Sequence, residues 1–202
     1  MIGAFLVVFA LALSDPPLPP TGVPECDRFV AMVRACLPKM CEEERMLREM
    51  EVGFAVETIA AMVKEKGKAA AAESCARDIA AELREDLYAC HADSPSASTR
   101  VELTPAGDAL VLRFSSTALD GAETADVALA EPLAEPLGVY RVTSAQGRFV
   151  LDTGSASPLG AATGAVRLEP DTPYCYTIAT SADDATRRRI LRKGVASTRG
   201  KP

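Results

Sequence analysis

The stretch Leu168-Glu169-Pro170-Asp171-Thr172-Pro173-Tyr174-Cys175-Tyr176-Thr177-Ile178 decides the fold of the C-terminal half. Its two prolines mark a corner in the chain. The residues that follow place Tyr174, Tyr176 and Ile178 at alternate positions, and alternate side chains of a strand share one face. A proline-marked turn that leads into an alternating apolar strand is typical of all-β structure. The stretch therefore predicts a β-sandwich.

The spacing of Leu168, Pro170, Thr172 and Tyr174 resembles the corner that leads into strand F of fibronectin type III domains. In that family a buried tyrosine hydroxyl ties the strand to the preceding loop, and the resemblance gives this role to Tyr174. The resemblance covers residues 100–199 and implies an antiparallel sandwich. This chain has no tryptophan, so Phe114 is expected to take the place of the tryptophan that the family usually carries in an early core strand.

Alternating or continuous apolar runs in this half predict strands at 109–114, 138–143, 148–151, 165–168 and 195–198. Between the first two lies a segment from Ser115 to Leu137 that contains Pro132 and Pro136. We expect this segment to be an extended surface loop. The fibronectin type III fold hosts many roles, so the resemblance favours binding without naming a ligand.

The N-terminal half has a different composition, which divides the chain. Residues 1–12 are an apolar run ending in Ala10-Leu11-Ala12, which is typical of a secretory signal peptide; a buried core helix is the alternative. A proline-rich linker follows at 13–23, then a cysteine-linked helical bundle at 24–92, a polar linker at 93–99 and the sandwich at 100–199. The predicted fold class is α+β in two domains, with no membrane span and a secreted or periplasmic location.

Breaks at Pro38 and Gly67 divide the helical half into three helices. The short turns between them make neighbouring helices antiparallel, so the first and third helices run parallel. The second helix carries apolar residues at helical spacing, which we expect to form core: Met46, Leu47, Met50, Phe54, Ile59, Met62 and Val63. An exposed groove for a partner is the alternative for this stripe.

Four of the six cysteines lie in or beside the first and third helices. If these helices are parallel, Cys36 and Cys90 lie at the same end, Cys90 closing the third helix, and Cys26 pairs with Cys75. The alternative pairs Cys26 with Cys90 and Cys36 with Cys75. It requires antiparallel helices, as in two-helix hairpins of the paired cysteine type, which the spacing of Cys26 and Cys36 resembles.

Cys41 and Cys175 remain. Because Tyr174 and Tyr176 take the inward face of their strand, Cys175 points outward and can reach the helical bundle. The predicted Cys41–Cys175 bridge clamps the two domains together and adds ~4 to 5 kcal/mol by chain entropy. Two free thiols or an intermolecular dimer are the alternatives.

The stretch Phe149-Val150-Leu151-Asp152-Thr153-Gly154-Ser155 resembles the catalytic loop of aspartic proteases. That chemistry needs two carboxylates that share a proton, and this chain has a single copy of the motif. We interpret it as a turn after an apolar strand. No metal site is expected, because the cysteines lack short paired spacing and His91 is the only histidine, and no cofactor is expected.

The chain has a formal net charge of −6, but its C-terminal segment is basic through Arg187, Arg188, Arg189, Arg192 and Lys193. Such charges on an edge strand block unwanted pairing, or they bind an anionic partner. Nucleic acid is excluded as a partner by the acidic chain and its few aromatic residues. The predicted function is a non-enzymatic binding or adhesion module for an extracellular or envelope protein or polysaccharide. The alternatives are an aspartic-protease-like hydrolase using Asp152 and a structural spacer without ligand.

Overall fold

The computed structural model describes residues 19–131, 136–154, 168–181 and 188–198. The predicted signal peptide at 1–12 lies outside these ranges, and so do residues 165–167 of the predicted strand 165–168 and Arg187. Within the described ranges, no helix combines the length and the apolar character that crossing a membrane requires.

The N-terminal part contains three helices: α1 (Pro24–Cys36), α2 (Glu42–Lys66) and α3 (Lys68–Glu85). The predicted breaks at Pro38 and Gly67 are confirmed. Pro38 lies in a short 3-10 turn, Leu37–Lys39, between α1 and α2. Gly67 has a φ of 86°, a backbone conformation that ends α2 and that glycine adopts without strain. The helices, the turns that join them and the loop after α3 form what we call the helical unit, residues 21–98.

The third helix is shorter than expected, because α3 ends at Glu85 and Cys90 lies in the loop that follows. The buried carboxylate of Asp86 explains the difference. It accepts hydrogen bonds from the backbone N–H groups of Tyr88 (3.0 Å), Cys90 (2.7 Å) and His91 (3.1 Å). A short acidic side chain that satisfies nearby backbone donors in this way competes with continuation of the helix.

The predicted polar linker at 93–99 is folded against the loop that follows α3. The buried hydroxyls of Ser94 and Ser96 both donate to the backbone oxygen of Asp86, at 2.6 and 2.5 Å. A 3-10 turn, Pro95–Ser98, then leads into the first strand at Thr99. The two halves of the molecule are therefore joined by a short folded connection.

The C-terminal part, the sheet unit, contains seven strands in the described residues: β1 (Thr99–Ala106), β2 (Ala109–Ser116), β3 (Thr124–Ala130), β4 (Pro136–Ala145), β5 (Arg148–Asp152), β6 (Pro173–Thr180) and β7 (Ile190–Ser197). All pairings are antiparallel, and the order is β1-β2-β5-β4-β3-β6-β7. Strand β4 pairs with β3 along most of its length and with β5 only through Ser144 and Ala145. The sheet therefore bends at β4, and the arrangement is consistent with a β-sandwich.

One hydrophobic core fills the space between the two parts of the sheet. Phe114 is 3% exposed and stacks on Phe149, with ring centroids 5.0 Å apart. These rings share a cluster with Val127, Tyr140 and Ile178 from the other side of the bend. Phe114 is thus a core residue of the sheet unit, whereas its equivalence to the tryptophan of the fibronectin type III family stays a prediction.

The expectation of a surface loop from Ser115 to Leu137 is wrong, because this segment contains β3. That strand pairs with both β4 and β6 and buries Val127 and Leu129. Its sequence is short and interrupted by Asp126, which hides the strand pattern. Asp126 is tolerated because the guanidinium of Arg141, directly opposite on β4, lies 3.2 Å from its carboxylate.

The expectation that the whole apolar stripe of α2 forms core is also wrong. Val52 and Ile59 are buried, and Ile59 joins the core of the helical unit with Val23 and Ala71. Four residues of the predicted stripe are largely exposed: Met46 (49%), Leu47 (51%), Met50 (54%) and Phe54 (68%). At 3.6 residues per turn, these four lie on the side of α2 opposite to Val52 and Ile59. Helix α2 therefore has two apolar faces, and α1 and α3 cover only one of them.

Candidate binding surface

The corner before β6 holds the residues that carry the resemblance. Tyr174 is fully buried, and its hydroxyl accepts a hydrogen bond from the backbone N–H of Glu169 at 2.6 Å. Burial raises the pKa of the Tyr174 phenol. Leu168 is buried below the corner, whereas Pro170 is exposed at its turn. The hydroxyl of Thr198 donates to the backbone oxygen of Glu169 at 3.0 Å and fastens the corner from the other side.

The structure brings together each of the three predicted cysteine pairs. The Cα atoms are 5.0 Å apart in Cys26–Cys75, 5.2 Å in Cys36–Cys90 and 5.7 Å in Cys41–Cys175. Cys26 precedes Cys36 in α1, and their partners Cys75 and Cys90 occur in the same order in α3 and the loop after it. This order is the one that parallel α1 and α3 require. The third joins the residue before α2 to the outward face of β6, across the junction of the two units.

The junction also uses two residues of the predicted anion-binding group. The ammonium of Lys193 forms an ion pair with Glu44 on α2, and the hydroxyl of Tyr88 donates to the same carboxylate. Burial, and then the hydrogen bond to Glu44, raise the pKa of Tyr88 far above that of a free phenol. The guanidinium of Arg192 donates to the backbone oxygen of Ser96 at 3.4 Å. Both cations therefore serve contacts within the chain.

The other described members of that group are Arg188, which is half-buried, and Arg189, which is exposed just before β7. Arg189 is held by its backbone, which exchanges two hydrogen bonds with Thr180. Of the four described residues of the group, Arg192 and Lys193 are therefore engaged by side-chain contacts within the chain. Binding of an anion by the C-terminal segment stays a prediction.

Asp152 closes β5, and its carboxylate accepts a hydrogen bond from the backbone N–H of Gly154 at 3.0 Å. The next residue, Thr153, is buried and accepts from the backbone N–H of Leu110 at 2.8 Å. These contacts are those of a turn fastened to β2. They give Asp152 a structural role, and catalysis by this residue stays untested.

Cys36, Asp86 and Cys90 are a group of metal-ligating residue types whose ligand atoms lie within 4.8 Å of one another. The two cysteine sulfurs are bonded to each other, and the carboxylate of Asp86 already accepts three backbone N–H groups. The cluster is therefore explained by its role in ending α3.

Sequence reasoning missed three exposed arginines that meet on the outer face of β1, β2 and β5. Arg100 lies opposite Ser115 on β2, and Arg113 lies between Glu102 on β1 and Val150 on β5. Phe114 pairs with Phe149 on β5, so the next position along the two antiparallel strands places Arg148 beside Ser115. Arg100 and Arg148 therefore lie on opposite sides of Ser115. At about 4.8 Å between strands, the Cα atoms of Arg100 and Arg148 are roughly 10 Å apart across that small residue. We call Arg100, Arg113 and Arg148 the arginine face.

The arginine face surrounds a depression of about 250 Å³, which is also lined by Glu102, Ser115 and Val150. Within the described residues, none of its three guanidinium groups forms an ion pair with a carboxylate. Other arginines do form such pairs: Arg48 lies 2.5 Å from Glu82 and Arg141 lies 3.2 Å from Asp126. Three cations without an ion-pair partner in the described part of the chain, against one carboxylate, make this a positive site on a protein of net charge −6.

The local sequence gives little sign of this site. Arg113 stands between the apolar Leu112 and Phe114, and Arg148 precedes the apolar Phe149, so each looks like an ordinary outward residue of a strand. Only the register of three strands, one of them distant in sequence, shows that the arginines are neighbours.

Comparisons with known proteins give little further information. No family model matches the chain, and no curated protein matches it. Among solved structures, one match is the crystal structure of a carbohydrate-binding module family 56 β-1,3-glucan binding domain. It has 12% sequence identity, covers 48% of this chain and 95% of that chain, and has a TM-score of 0.29.

Proposed function

We propose that this chain is a secreted or periplasmic, non-enzymatic binding module that holds a sulfated polysaccharide on its arginine face. The observation that carries the proposal is the meeting of three exposed arginines, unpaired within the described residues, around one depression of about 250 Å³. Three positive charges around one depression, against the single carboxylate of Glu102 in its lining, favour an anionic ligand.

The chemistry of arginine defines the ligand class. The planar guanidinium presents N–H donors in a fork that matches the oxygens of a sulfate or a carboxylate, and it remains charged at any physiological pH. Arg100 and Arg148 flank Ser115, which leaves room for an anion between them. Arg113 lies two residues before Ser115 on the same face of β2, where it contacts a second anion on the same polymer. Val150, which is 48% exposed, offers an apolar contact to a sugar ring.

The architecture of the proposed module has support of its own. We propose a fibronectin type III-like sandwich for the sheet unit, and the hydrogen bond from Glu169 to the buried hydroxyl of Tyr174 supports this interpretation. Export is supported by three disulfides, which form and persist in oxidising compartments. The apolar run at residues 1–12 supports it too.

The test uses heparin as the sulfated probe and a neutral β-1,3-glucan as its uncharged counterpart. We expect the purified chain to be retained on heparin in low salt, with binding that weakens as salt rises because the contacts are ionic. The neutral glucan should not be bound. Replacing Arg113 and Arg148 by glutamine should lower the affinity for heparin at least tenfold, since both removed groups are charge-assisted donors.

The matched control replaces two arginines away from the arginine face, Arg45→Gln and Arg77→Gln, which lie on α2 and α3 and are exposed by 42% and 68%. This variant has the same change in net charge and should bind heparin like the wild type. Equal losses in the two variants would show a general charge effect and would overturn the proposal. Loss of binding only in an Arg188→Gln, Arg189→Gln variant would place the site in the C-terminal segment. That result would also overturn the proposal.

A further inference from the structure

Four of the six large apolar side chains that are exposed in the described structure lie together on α2. They are Met46, Leu47, Met50 and Phe54, which we call the α2 outer face. Their spacing over eight residues corresponds to about 12 Å along the helix. Contiguous exposed apolar patches are uncommon on soluble proteins and mark interaction sites.

Two depressions border the α2 outer face on its α3 side. The first, of about 290 Å³, includes Leu47 with Met40 and Leu87. The second, of about 270 Å³, includes Phe54 with Phe29 and Met62. Glu51 lines both, so they adjoin along one edge of α2. Apolar side chains of a ligand that lies on α2 can therefore insert into these two depressions.

Gly53 adjoins the α2 outer face on the opposite edge. Among the described residues, apart from the neighbouring backbone of α2 itself, no heavy atom lies within 4 Å of the position that a Cβ would take there, so the packing of these residues does not require a glycine. Glycine in the interior of a helix is about 1 kcal/mol less favourable than alanine. A missing side chain at this place lets the backbone of a bound helix approach α2 closely.

The charges around the α2 outer face are acidic. Glu43 and Glu57 lie on the same side of the helix, and both are exposed. On the α3 side the depressions add Asp78, Glu82 and Glu85. Arg48, on that side, is already paired with Glu51 and Glu82. Lys193, at the end of the first depression, is paired with Glu44. The surface is therefore complementary to a ligand with an apolar stripe and basic flanks.

A second copy of this chain does not meet that description. An antiparallel pair of α2 helices centred on Met50 would bury the α2 outer face, but it would bring Glu43 next to Glu57 of the other copy. A parallel pair would bring each glutamate next to its own counterpart. Like charges at such positions oppose association.

We propose that the α2 outer face docks an amphipathic helix of a partner protein, with apolar anchors at positions i, i+3, i+4 and i+7 and lysine or arginine beside them. Helices bind apolar grooves through anchors at this spacing. The site is separate from the arginine face, so the chain connects a polysaccharide on the sheet unit to a protein on the helical unit. The docking proposal does not depend on the polysaccharide.

The probe is a synthetic helical peptide with leucines at these positions and lysines beside them; its twin has glutamate in place of every lysine. We expect the intact chain to bind the lysine peptide with micromolar affinity, measured by fluorescence anisotropy, and the glutamate twin at least tenfold more weakly. The double variant Met50→Ser, Phe54→Ser should lose at least tenfold in affinity for the lysine peptide. Ile190→Ser removes an exposed apolar residue from the sheet unit and should bind like the wild type.

Because Met50 and Phe54 are exposed, the double variant should keep the wild-type thermal unfolding midpoint, which shows that lost binding is not lost folding. Failure of the lysine peptide to bind, equal binding of the two peptides, or wild-type binding by the double variant would overturn the proposal. Sedimentation velocity adds a further check. A wild-type dimer that Phe54→Ser dissociates would assign the α2 outer face to a second copy and would also overturn it.

Discussion

At the scale of single residues, Gly194 on β7 shows how a small side chain is fixed by its neighbour. A Cβ at this position would lie 2.3 to 2.6 Å from the hydroxyl and ring atoms of Tyr176, which lies directly opposite on β6. The buried ring therefore occupies the space that any other residue would need. Nothing in the local sequence distinguishes Gly194 from a turn glycine, because the conflict arises between strands.

We predict that Gly194→Ala destabilises the fold by about 1–3 kcal/mol, since the Tyr176 ring has to shift within a packed core. The measurement is the free energy of unfolding in urea. Gly53→Ala is the control, because its Cβ would meet no atom and alanine favours the helix by about 1 kcal/mol. Equal stability of the Gly194 variant and the wild type would show that the ring does not occupy that space.

The tyrosines give a prediction about alkaline pH. Burial is the largest cause that raises the pKa of all four phenols: Tyr88, Tyr140, Tyr174 and Tyr176. A phenol whose pKa is raised by folding contributes stability that is complete below its unfolded pKa of about 10 and declines as pH rises above it. The free energy of unfolding should therefore fall in this alkaline range.

The chain has no tryptophan, so the near-ultraviolet absorbance of phenolate reports these groups directly. We expect the phenolate of the folded protein to form at a higher pH than that of the chain unfolded in denaturant. Coincident titration curves would contradict the burial of the four rings.

At the scale of elements, the sequence predicted the helices better than the strands. Pro38 and Gly67 are strong local signals, and both end helices in the structure. Strand β3 was missed because its stability comes from contacts with distant strands, including the pairing of Asp126 with Arg141. The end of α3 was misplaced because Asp86 captures backbone donors, a contact that depends on the loop conformation.

Helix α2 shows what periodicity alone does not determine. The helical spacing of its apolar residues was correct, but two opposite apolar faces look like one wide stripe when only α-helical spacing is considered. The packing of α1 and α3 determines which face is buried. The arginine face was missed for a related reason, because strand register is a property of the assembled sheet.

The two faces of α2 should differ sharply in mutational sensitivity. We predict that Ile59→Ala, on the buried face, destabilises the chain by about 2–5 kcal/mol through loss of core contacts and a residual cavity. Phe54→Ala removes a larger side chain from the exposed face and should change the free energy of unfolding by less than about 0.5 kcal/mol. Similar losses from the two substitutions would show that Phe54 is buried in solution.

At the scale of the whole molecule, the two units are held together by the Cys41–Cys175 bridge and a small polar junction. The bridge joins residues 134 positions apart, so closing that loop in the unfolded chain nominally contributes ~5 kcal/mol of stability. We predict that Cys41→Ser, Cys175→Ser lowers the free energy of unfolding by up to that amount. Urea unfolding under oxidising conditions measures this change. An unaltered midpoint would show that the bridge does not constrain the unfolded chain.

The sequence predicts two domains because the composition changes sharply near residue 93. In the structure the three helices all precede β1, which begins at Thr99. The details of the junction were not accessible. Its ion pair between Lys193 and Glu44 joins residues 149 positions apart, and the predicted linker at 93–99 is folded through Ser94 and Ser96. Contacts of this kind depend on how the units dock, which no local pattern encodes.

The Cys41–Cys175 bridge fastens the helical unit covalently to the sheet unit, and the apolar run at residues 1–12 predicts export. A non-reducing peptide map of the purified protein, with its amino terminus sequenced in the same experiment, tests both statements. We predict that the map shows Cys26 linked to Cys75, Cys36 to Cys90 and Cys41 to Cys175, in a chain that has lost its first residues. A free thiol at Cys175, or the crossed pairs Cys26–Cys90 and Cys36–Cys75, would contradict the architecture, and an intact Met1 with reduced cysteines would contradict export.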